Sequence, residues 1–556
     1  MLAPVHFIRR FLLVVLLGTV LPSCDDGPRR PADDPLEGLS WDEFPAIPAT
    51  RSVDMIIVVD NSYGNYDGRI KLRSIMNGLV HSMEQFEAGM PDLHVGVITS
   101  DLGSSPYNVG GCLIPGGDHG RFVPSITDDA QTLHYLVDVA PRGCPVERHM
   151  EFDSPLQCLS HACTQLHCKP EAFPGADGLP TEPAGLTLVT DEQGCPRCRS
   201  FNAVPLAQEL EERIASLGSG CGWEQHLEAL RLALFGQNPE NEGFSRPDSL
   251  VSVLFFMDED DCSVADPILL APAVGTTLLE QLGPLTNYRC TRFGVVCDEP
   301  WPDASFPVGD YPMSNCRPRP GRDPRALLHP IARYDAAFGA LRDGGRLQVS
   351  TISGSYRSEL SVVKYTYSGW IGLELDCRTN GGGEGADPIV RMSSFLRALD
   401  PGHFEYPSWV NFCNNDYSPV TGAMRARIQH RMEPSACLRY AIAGCTEPPR
   451  PPDWSTECAP ACRVVEVDGD TRTPVPLCEP EYQNGHPAHL DPNLPQPVCY
   501  HVAYDGSCPA NSEYDDLRDR PWGVSLHVSM REPAPADRRI EYGCLRPSQV
   551  AASPSP

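Results

Sequence analysis

The sequence SVDMIIVVDNSYGN at positions 52–65 decides the predicted fold. Its apolar part predicts a buried strand, and Asp60 and Ser62 follow where that strand ends. Residues 70–86 then carry apolar side chains at spacings of three and four, which predicts a helix with one buried face. A second apolar run at 93–100 predicts another strand. Because strand, helix and strand joined by short connections form a βαβ unit, we expect a parallel sheet buried on both faces.

A distant strand ends in the same way. Residues 250–257 read LVSVLFFM, the most continuous apolar run after the leader, and Asp258 follows directly. Ligands of parallel sheets bind at the carboxyl ends of the strands. If both strands lie in one sheet, Asp60, Ser62 and Asp258 meet in one crevice. Carboxylate and hydroxyl oxygens suit Mg²⁺, Mn²⁺ or Ca²⁺, so these three residues are the predicted ligands of a divalent cation.

Three motifs resemble the von Willebrand factor type A (VWA) domain as it occurs in large lipoproteins of myxobacteria and related lineages. They are VDNS at 59–62, GCGWEQ at 220–225 and DEDDCS at 258–263. The resemblance covers roughly residues 51–442. It implies an α/β fold with a doubly wound, mostly parallel sheet of the VWA or Rossmann-like kind. One edge strand would be antiparallel, and helices would cover both faces.

The resemblance also implies a metal-ion-dependent adhesion site. Asp60 and Ser62 match the first motif of that site, and Asp258 matches its distal aspartate. The bound divalent cation would keep an open position, which takes an acidic group from a protein or cell-surface ligand.

Two positions depart from the family pattern. The third position of the first motif should be serine and is Gly64, and the loop at 218–222 lacks the family's threonine. Glu224, Ser219 or water are the candidate substitutes. The alternative is a retained fold with a silent site, in which Asp60 only caps the turn and helix that follow it.

The chain is predicted to divide where its composition changes, with four prolines at 447–454 as the clearest boundary. The predicted units are a lipoprotein signal peptide (1–24), a disordered tether (25–50), the VWA-like domain (51–445) and a small Cys-rich β module (455–548). The VWA-like domain would contain a Cys-rich insertion around 140–200 and loop insertions around 263–325 and 354–387.

The composition argues against a nucleic-acid-binding protein. The 556 residues include 44 Lys and Arg against 73 Asp and Glu, a formal net charge of −29. Nucleic acids and anionic membrane surfaces are polyanions, so neither is a predicted partner. The 57 prolines are about twice the usual share of roughly 5% and predict long irregular connections.

The amino terminus predicts export. It has a basic start, an apolar run at 11–21 that is too short to span a bilayer, and the ending LPSC at 21–24. This ending resembles a bacterial lipobox, so Cys24 is predicted to carry an N-terminal lipid as the chain's membrane contact. The alternative is an ordinary signal peptide with a chance cysteine. The chain has 23 cysteines, and the even number left without Cys24 fits disulfides in an oxidising compartment. We predict a cell-envelope location, as an outer membrane lipoprotein or at the cell surface.

Weaker candidates for chemistry have structural interpretations that we favour. Cys195 and Cys198 form a CxxC pair, but their loop setting predicts structural disulfides. The same holds for a possible zinc set in this segment, which consists of His161, Cys163, His167 and Cys168. The acidic residues 259–261 are predicted to be solvated. The glycines at 381–385 lack the lysine of a phosphate-binding loop and predict a hinge.

Together these patterns predict a lipoprotein that binds a ligand and is not an enzyme. The sequence contains no HExxH, GxSxG or GxxxxGK motif. Two alternatives stay open. One is a hydrolytic enzyme with its active site in an insertion or in the C-terminal module, and the other is a structural envelope protein with a silent metal site.

Overall fold

The structure is a computed structural model. It describes residues 42–43, 51–444 and 460–545, apart from gaps at 63–65, 85, 87–88, 113, 125–132, 144–145, 147, 150–156, 159–164, 176, 202–203, 273–280, 304, 365–370, 380–384, 400–407, 433–434, 439–441, 469–470, 478–481, 484–485, 488–497, 506–522 and 531–538. The predicted signal peptide, the lipidation site Cys24 and most of the predicted tether therefore lie outside the described residues.

Among the described residues, an eight-stranded sheet forms the centre of the chain. Its strands are β1 (Ser52–Val59), β2 (Asp92–Thr99), β3 (Leu136–Val139), β4 (Thr187–Thr190), β5 (Pro196–Arg199), β6 (Leu250–Phe256), β7 (Leu347–Ser353) and β8 (Trp409–Asn411). Their spatial order is β8-β7-β6-β1-β2-β3-β5-β4. The strands from β8 to β2 in this order pair in parallel, and the three pairings beyond β2 are antiparallel. The predicted α/β class and the parallel pairing of β1 with β6 are confirmed.

Helices pack against both faces of this sheet. The helices with defined bounds are α1 (Tyr66–Glu84), α2 (Leu206–Ala215), α3 (His226–Phe235), α4 (Tyr288–Gly294), α5 (Ile331–Asp343), α6 (Val390–Leu399) and α7 (Ser418–Arg431). Of these, α4 belongs to a separate apolar cluster through Tyr288. Apolar side chains of α1, α2 and α7 share one core with one face of β1. Those of α3, α5 and α6 form a second core against the other face. With apolar side chains on both of its faces, β1 is buried almost throughout, as its continuous apolar sequence predicts.

The antiparallel edge differs from the prediction. Residues 121–123, which follow β2 along the chain, do not form a strand, although Val123 N–H donates to the Val97 carbonyl oxygen at 2.9 Å. The strand that returns beside β2 is β3. Three antiparallel strands occupy this edge instead of the single one that the resemblance implies. Two of them, β4 and β5, come from the Cys-rich segment around 140–200, so part of that segment belongs to the sheet.

Disulfides hold the Cys-rich segment together. Cys195 is bonded to Cys158 and Cys198 to Cys168, so the CxxC residues are not a redox pair and the structural interpretation is confirmed. The second bond also removes Cys168 from the possible zinc set. The two other members at 161–164 lie outside the described residues.

A buried polar network anchors the same segment at the amino-terminal ends of β1 and β2. The Arg246 guanidinium donates to Asp54 Oδ1 at 2.9 Å and to Glu182 Oε1 at 3.1 Å. The His94 ring lies 2.8 Å from Glu182 Oε2. All four side chains are buried, and Glu182 belongs to the Cys-rich segment. Buried charges of this kind are retained only when they are paired, so each member depends on the others.

The two loop insertions form a small sheet with each other. Its three strands run antiparallel and are Gly309–Met313, Leu360–Lys364 and Ile371–Leu373. Of the glycine run at 381–385, only the last residue is described, and it pairs with Arg378 in a two-residue bridge. The predicted hinge therefore lies mostly outside the described residues.

The C-terminal module is built from antiparallel strands. Among the described residues they form two larger sheets and one two-stranded pairing, Tyr482–Gln483 with His486–Pro487. The module draws on residues outside its predicted bounds of 455–548. One sheet has the order Asp42–Glu43, Arg539–Cys544, Cys462–Asp468 and Thr471–Val475, and the other has Ser435–Leu438, Gly523–Met530 and Val498–Asp505. Residues 42–43 from the predicted tether and 435–438 from before the proline-rich boundary thus pair with the module.

The cysteine chemistry indicates an oxidising, extracytoplasmic environment. Seven disulfides occur among the described residues, and such bonds persist outside reducing compartments. In the part of the chain that the structure describes, no helix has the length and apolar character needed to cross a membrane.

Candidate metal centre

Asp60 and Asp258 meet at the carboxyl ends of β1 and β6. The backbone N–H of Asp60 donates to the Phe256 carbonyl oxygen at 2.9 Å, which places the two strand ends side by side. The Asp60 and Asp258 side chains lie within hydrogen-bond reach of each other. Both are buried, and Asp258 is 7% exposed. Ser62 lies on the same turn, and its backbone N–H donates to Asp60 Oδ1 at 2.7 Å.

Two glutamates extend this pair into a group of four carboxyl side chains. One carboxylate oxygen from each of Asp60, Glu224 and Glu259 lies within 4.8 Å of the others. Glu224, on the turn before α3, is 1% exposed, and Glu259 is partly buried. We call Asp60, Glu224, Asp258 and Glu259 the acidic site.

Several polar atoms at this edge are buried without a hydrogen-bond partner among the described residues. Three of them are carboxylate oxygens of the acidic site, namely Glu224 Oε1, Asp258 Oδ1 and Glu259 Oε2. The hydroxyl of Ser100, directly after β2, is also buried without such a partner, and so are both ring nitrogens of His226. Buried polar groups are normally satisfied, and an unsatisfied group calls for an ion or a water molecule. Carboxylate and hydroxyl oxygens that lack a hydrogen-bond partner suit a divalent cation.

Burial and neighbouring carboxyl groups raise the pKa of three members of the acidic site. Burial raises the pKa of Glu224 well above its ordinary value, and the charges of Glu259 and Asp60 raise it further. Burial and the Asp60 charge act in the same way on the pKa of Asp258. Burial, with the same Asp60 charge, raises the pKa of Glu259 to about 7. Carboxylates this close need a proton or a cation between them, so the acidic site favours binding of a proton or a cation.

The rest of the acidic run caps two helices. Asp260 Oδ2 accepts from the backbone N–H of Arg391 at 2.7 Å, in the first turn of α6. Asp261 Oδ1 accepts from the backbone N–H of Leu227 at 3.0 Å, in the first turn of α3. Carboxylates at helix amino termini satisfy free N–H groups and complement the helix dipole. The prediction that residues 259–261 are solvated is therefore wrong.

Two disulfides hold the loops that carry the acidic site. Cys221, three residues before Glu224, is bonded to Cys112, and Cys262, four residues after Asp258, is bonded to Cys290. The backbone N–H of Cys262 donates to the Glu224 carbonyl oxygen at 2.8 Å, which ties the two loops together. All four cysteines pack in one apolar cluster, so the backbone around the acidic site is constrained on both sides.

The threonine-less loop at 218–222 packs against Asn61. The backbone N–H of Gly220 donates to the Asn61 carbonyl oxygen at 2.8 Å, and Asn61 Nδ2 donates to the Gly218 carbonyl oxygen at 3.2 Å. A Cβ on Gly220 would lie 2.2 Å from Asn61 Oδ1, which leaves no room for a side chain there. This close packing sets the start of the turn that carries Glu224.

Gly220→Ala should destabilise the fold by about 1–3 kcal/mol, because the added methyl group displaces Asn61 or the loop. Gly218→Ala is the matched control, since a Cβ at Gly218 meets no atom within 4 Å. Its free energy of unfolding should stay within about 0.5 kcal/mol of wild type. Urea denaturation of both variants measures the difference, and equal midpoints would contradict the packing described.

The structure places the predicted ligands together and adds to them. Asp60, Ser62 and Asp258 share one edge, as expected from the strand ends, while Gly64 lies outside the described residues. Of the two candidate substitutes in the chain, Glu224 lies at the site and Ser219 is exposed. Sequence reasoning missed Glu259. Nothing within an acidic run tells which members face a site and which cap helices.

No protein-family model matches the chain, and no curated protein matches its sequence. The resemblance to the VWA domain therefore rests on the three motifs and on the edge of the sheet where they meet.

Proposed function

We propose that this chain is a VWA-like, cell-envelope-anchored lipoprotein that binds a protein or cell-surface ligand through a divalent cation. Asp60, Glu224, Asp258 and Glu259 would hold the ion, with Ser62 on the same turn as the further ligand implied by the resemblance. The ion would supply positive charge with an open position, and the resemblance implies an acidic group of the ligand there. The lipid on Cys24 would be the attachment to the membrane.

One observation carries this proposal. Four carboxyl groups from three separate stretches of the chain converge where two parallel strands end, and three of their buried oxygens have no hydrogen-bond partner among the described residues. A silent site would gain nothing from keeping these charges together, because buried carboxylates without a cation destabilise the fold. The position at the carboxyl ends of parallel strands is where ligands of such sheets bind.

Isothermal titration of the purified, disulfide-bonded chain with Mg²⁺, Mn²⁺ and Ca²⁺ tests the proposal. Wild type should bind one ion, and Asp60→Ala and Asp258→Ala should each abolish the heat of binding. Asp248→Ala, at an exposed aspartate, is the control and should bind as wild type does. If wild type gives no heat with any of the three ions, the proposal is wrong. The structural alternative, an envelope protein with a silent site, then replaces it.

The enzyme alternative receives no support from the cavity beside the Cys-rich segment. Its lining includes Glu84, Asp191 and Arg197, and burial raises the pKa of both carboxyl groups. The cavity holds about 20 Å³, which is room for about one water molecule. Small-molecule sites usually enclose roughly 300–1,000 Å³. A binding protein without enzymatic activity therefore stays our prediction.

A further inference from the structure

We propose that the acidic site selects Ca²⁺ over Mg²⁺, and that Glu224 is the residue that sets this preference. The inference rests on the proposed function, because it requires that a divalent cation binds at this site. It goes further by naming the ion and the side chain that selects it.

The number of carboxyl groups favours Ca²⁺. Asp60 and Asp258 come from adjacent strand ends, and Glu224 and Glu259 bring two more carboxyl groups to the same point. Mg²⁺ is usually held by one or two carboxylates and keeps several water molecules, since it dehydrates reluctantly. Ca²⁺ takes about six to eight oxygen ligands and accepts carboxylates through one or both oxygens. Four carboxyl groups are more than Mg²⁺ usually engages, and they suit the larger ion.

Oxygens of the acidic site are also available to an ion. Within the described part of the chain, Glu224 Oε1 and Asp258 Oδ1 are buried and have no hydrogen-bond partner. Glu224 is 1% exposed, so its carboxyl group cannot reach bulk water unless the structure changes. An ion that engages many protein oxygens and gives up most of its water is favoured here.

The charge at the site points the same way. Among the described residues, no lysine or arginine forms an ion pair with Glu224, Asp258 or Glu259. The nearby Arg391 guanidinium is paired with Asp261 at 3.0 Å instead. With no basic side chain to share the negative charge, the ion itself must contact the carboxylates. This again favours the ion with the higher coordination number.

The backbone around the site is constrained. The disulfides Cys112–Cys221 and Cys262–Cys290 and the hydrogen bond from Cys262 to Glu224 hold the two loops. Selectivity between these ions depends on ligand number, cavity size and flexibility. A constrained frame limits how far the four carboxyl groups can close around an ion of smaller radius and strict octahedral geometry.

The test compares titration of the chelator-treated, disulfide-bonded chain with Ca²⁺ alone and with Mg²⁺ alone. Wild type should bind Ca²⁺ at least tenfold more tightly. Glu224→Gln should weaken Ca²⁺ binding by about ten- to a hundredfold and reduce the ratio between the two ions. Glu228→Gln is the matched control. Glu228 lies one helical turn away and pairs with Arg231 and Arg333, so its change should leave the ratio as it is in wild type.

The outcomes separate this inference from the proposed function. Equal or tighter binding of Mg²⁺ in wild type overturns the calcium preference while the cation site stands. An unchanged ratio in Glu224→Gln overturns the role of that residue. Failure of Ca²⁺, Mg²⁺ and Mn²⁺ alike to bind wild type overturns the proposed function itself. If Glu224→Gln does not fold, Glu259→Gln repeats the comparison at a partly exposed position and should lower the ratio in the same direction.

Discussion

Asp258→Asn should make the chain more stable than wild type in a chelator and less stable in millimolar Ca²⁺. Without an ion, the substitution removes one of two buried carboxyl groups that lie within hydrogen-bond reach, and the gain should be about 1–2 kcal/mol in free energy of unfolding. With an ion at about 100 times its dissociation constant, wild type gains about 2.7 kcal/mol. The variant lacks one ligand and, at about a hundredfold weaker affinity, should gain only about 0.4 kcal/mol, so the order of the two chains reverses.

Urea denaturation at pH 7 with disulfides intact measures the free energy of unfolding in chelator and in Ca²⁺. The exposed Asp248→Asn variant controls for the change in net charge and should follow wild type in both conditions. The reversal of order is the informative result. A fold that used Asp258 only for structural contacts would show the same difference between variant and wild type with and without the ion, and that result would contradict a cation site.

Arg246→Met should destabilise the fold by about 3–5 kcal/mol, the second large effect. The substitution leaves Asp54 and Glu182 buried without the guanidinium that pairs with both of them. Removing one partner of a buried ion pair is costly because the remaining charge is uncompensated. Since Glu182 belongs to the Cys-rich segment, that segment should also become more sensitive to protease than in wild type.

Arg325→Met is the matched control for this measurement. Its guanidinium pairs with Asp323 at 3.5 Å, but its side chain is 69% exposed. Exposed pairs contribute at most about 1 kcal/mol. Urea denaturation of the two variants should therefore separate them by at least about 2 kcal/mol. Similar losses in both would show that the Arg246 network does not anchor the segment.

Sequence patterns predicted the parts of the fold that depend on local periodicity. The strand β1, the helix α1 and the strands β2 and β6 follow from runs of apolar residues, because burial of such runs needs little information from elsewhere. The meeting of Asp60 with Asp258 also followed, since both residues end parallel strands. One antiparallel edge strand was predicted, but the three that form were not, because β3, β4 and β5 are short and two of them lie among cysteines and prolines.

Pairings between distant residues could not be predicted from the sequence. The bonds Cys158–Cys195 and Cys168–Cys198 cannot be chosen from spacing, because many connectivities are possible for this number of cysteines. The same limit applies to the strand pairings that bring residues 42–43 and 435–438 to the C-terminal module. Each of these contacts depends on packing between elements that are far apart in the chain.

The sequence by itself determined that an apolar strand ends in Asp60 and that a second ends in Asp258, and it predicted a cation site at these ends. Tertiary structure decided what surrounds them. It brought Glu224 and Glu259 to the two aspartates and turned Asp260 and Asp261 away to cap α6 and α3. The physical reason is that strand burial is encoded in neighbouring residues. The direction of each carboxyl group within an acidic run is set by helix termini and strand ends that meet only in the folded chain.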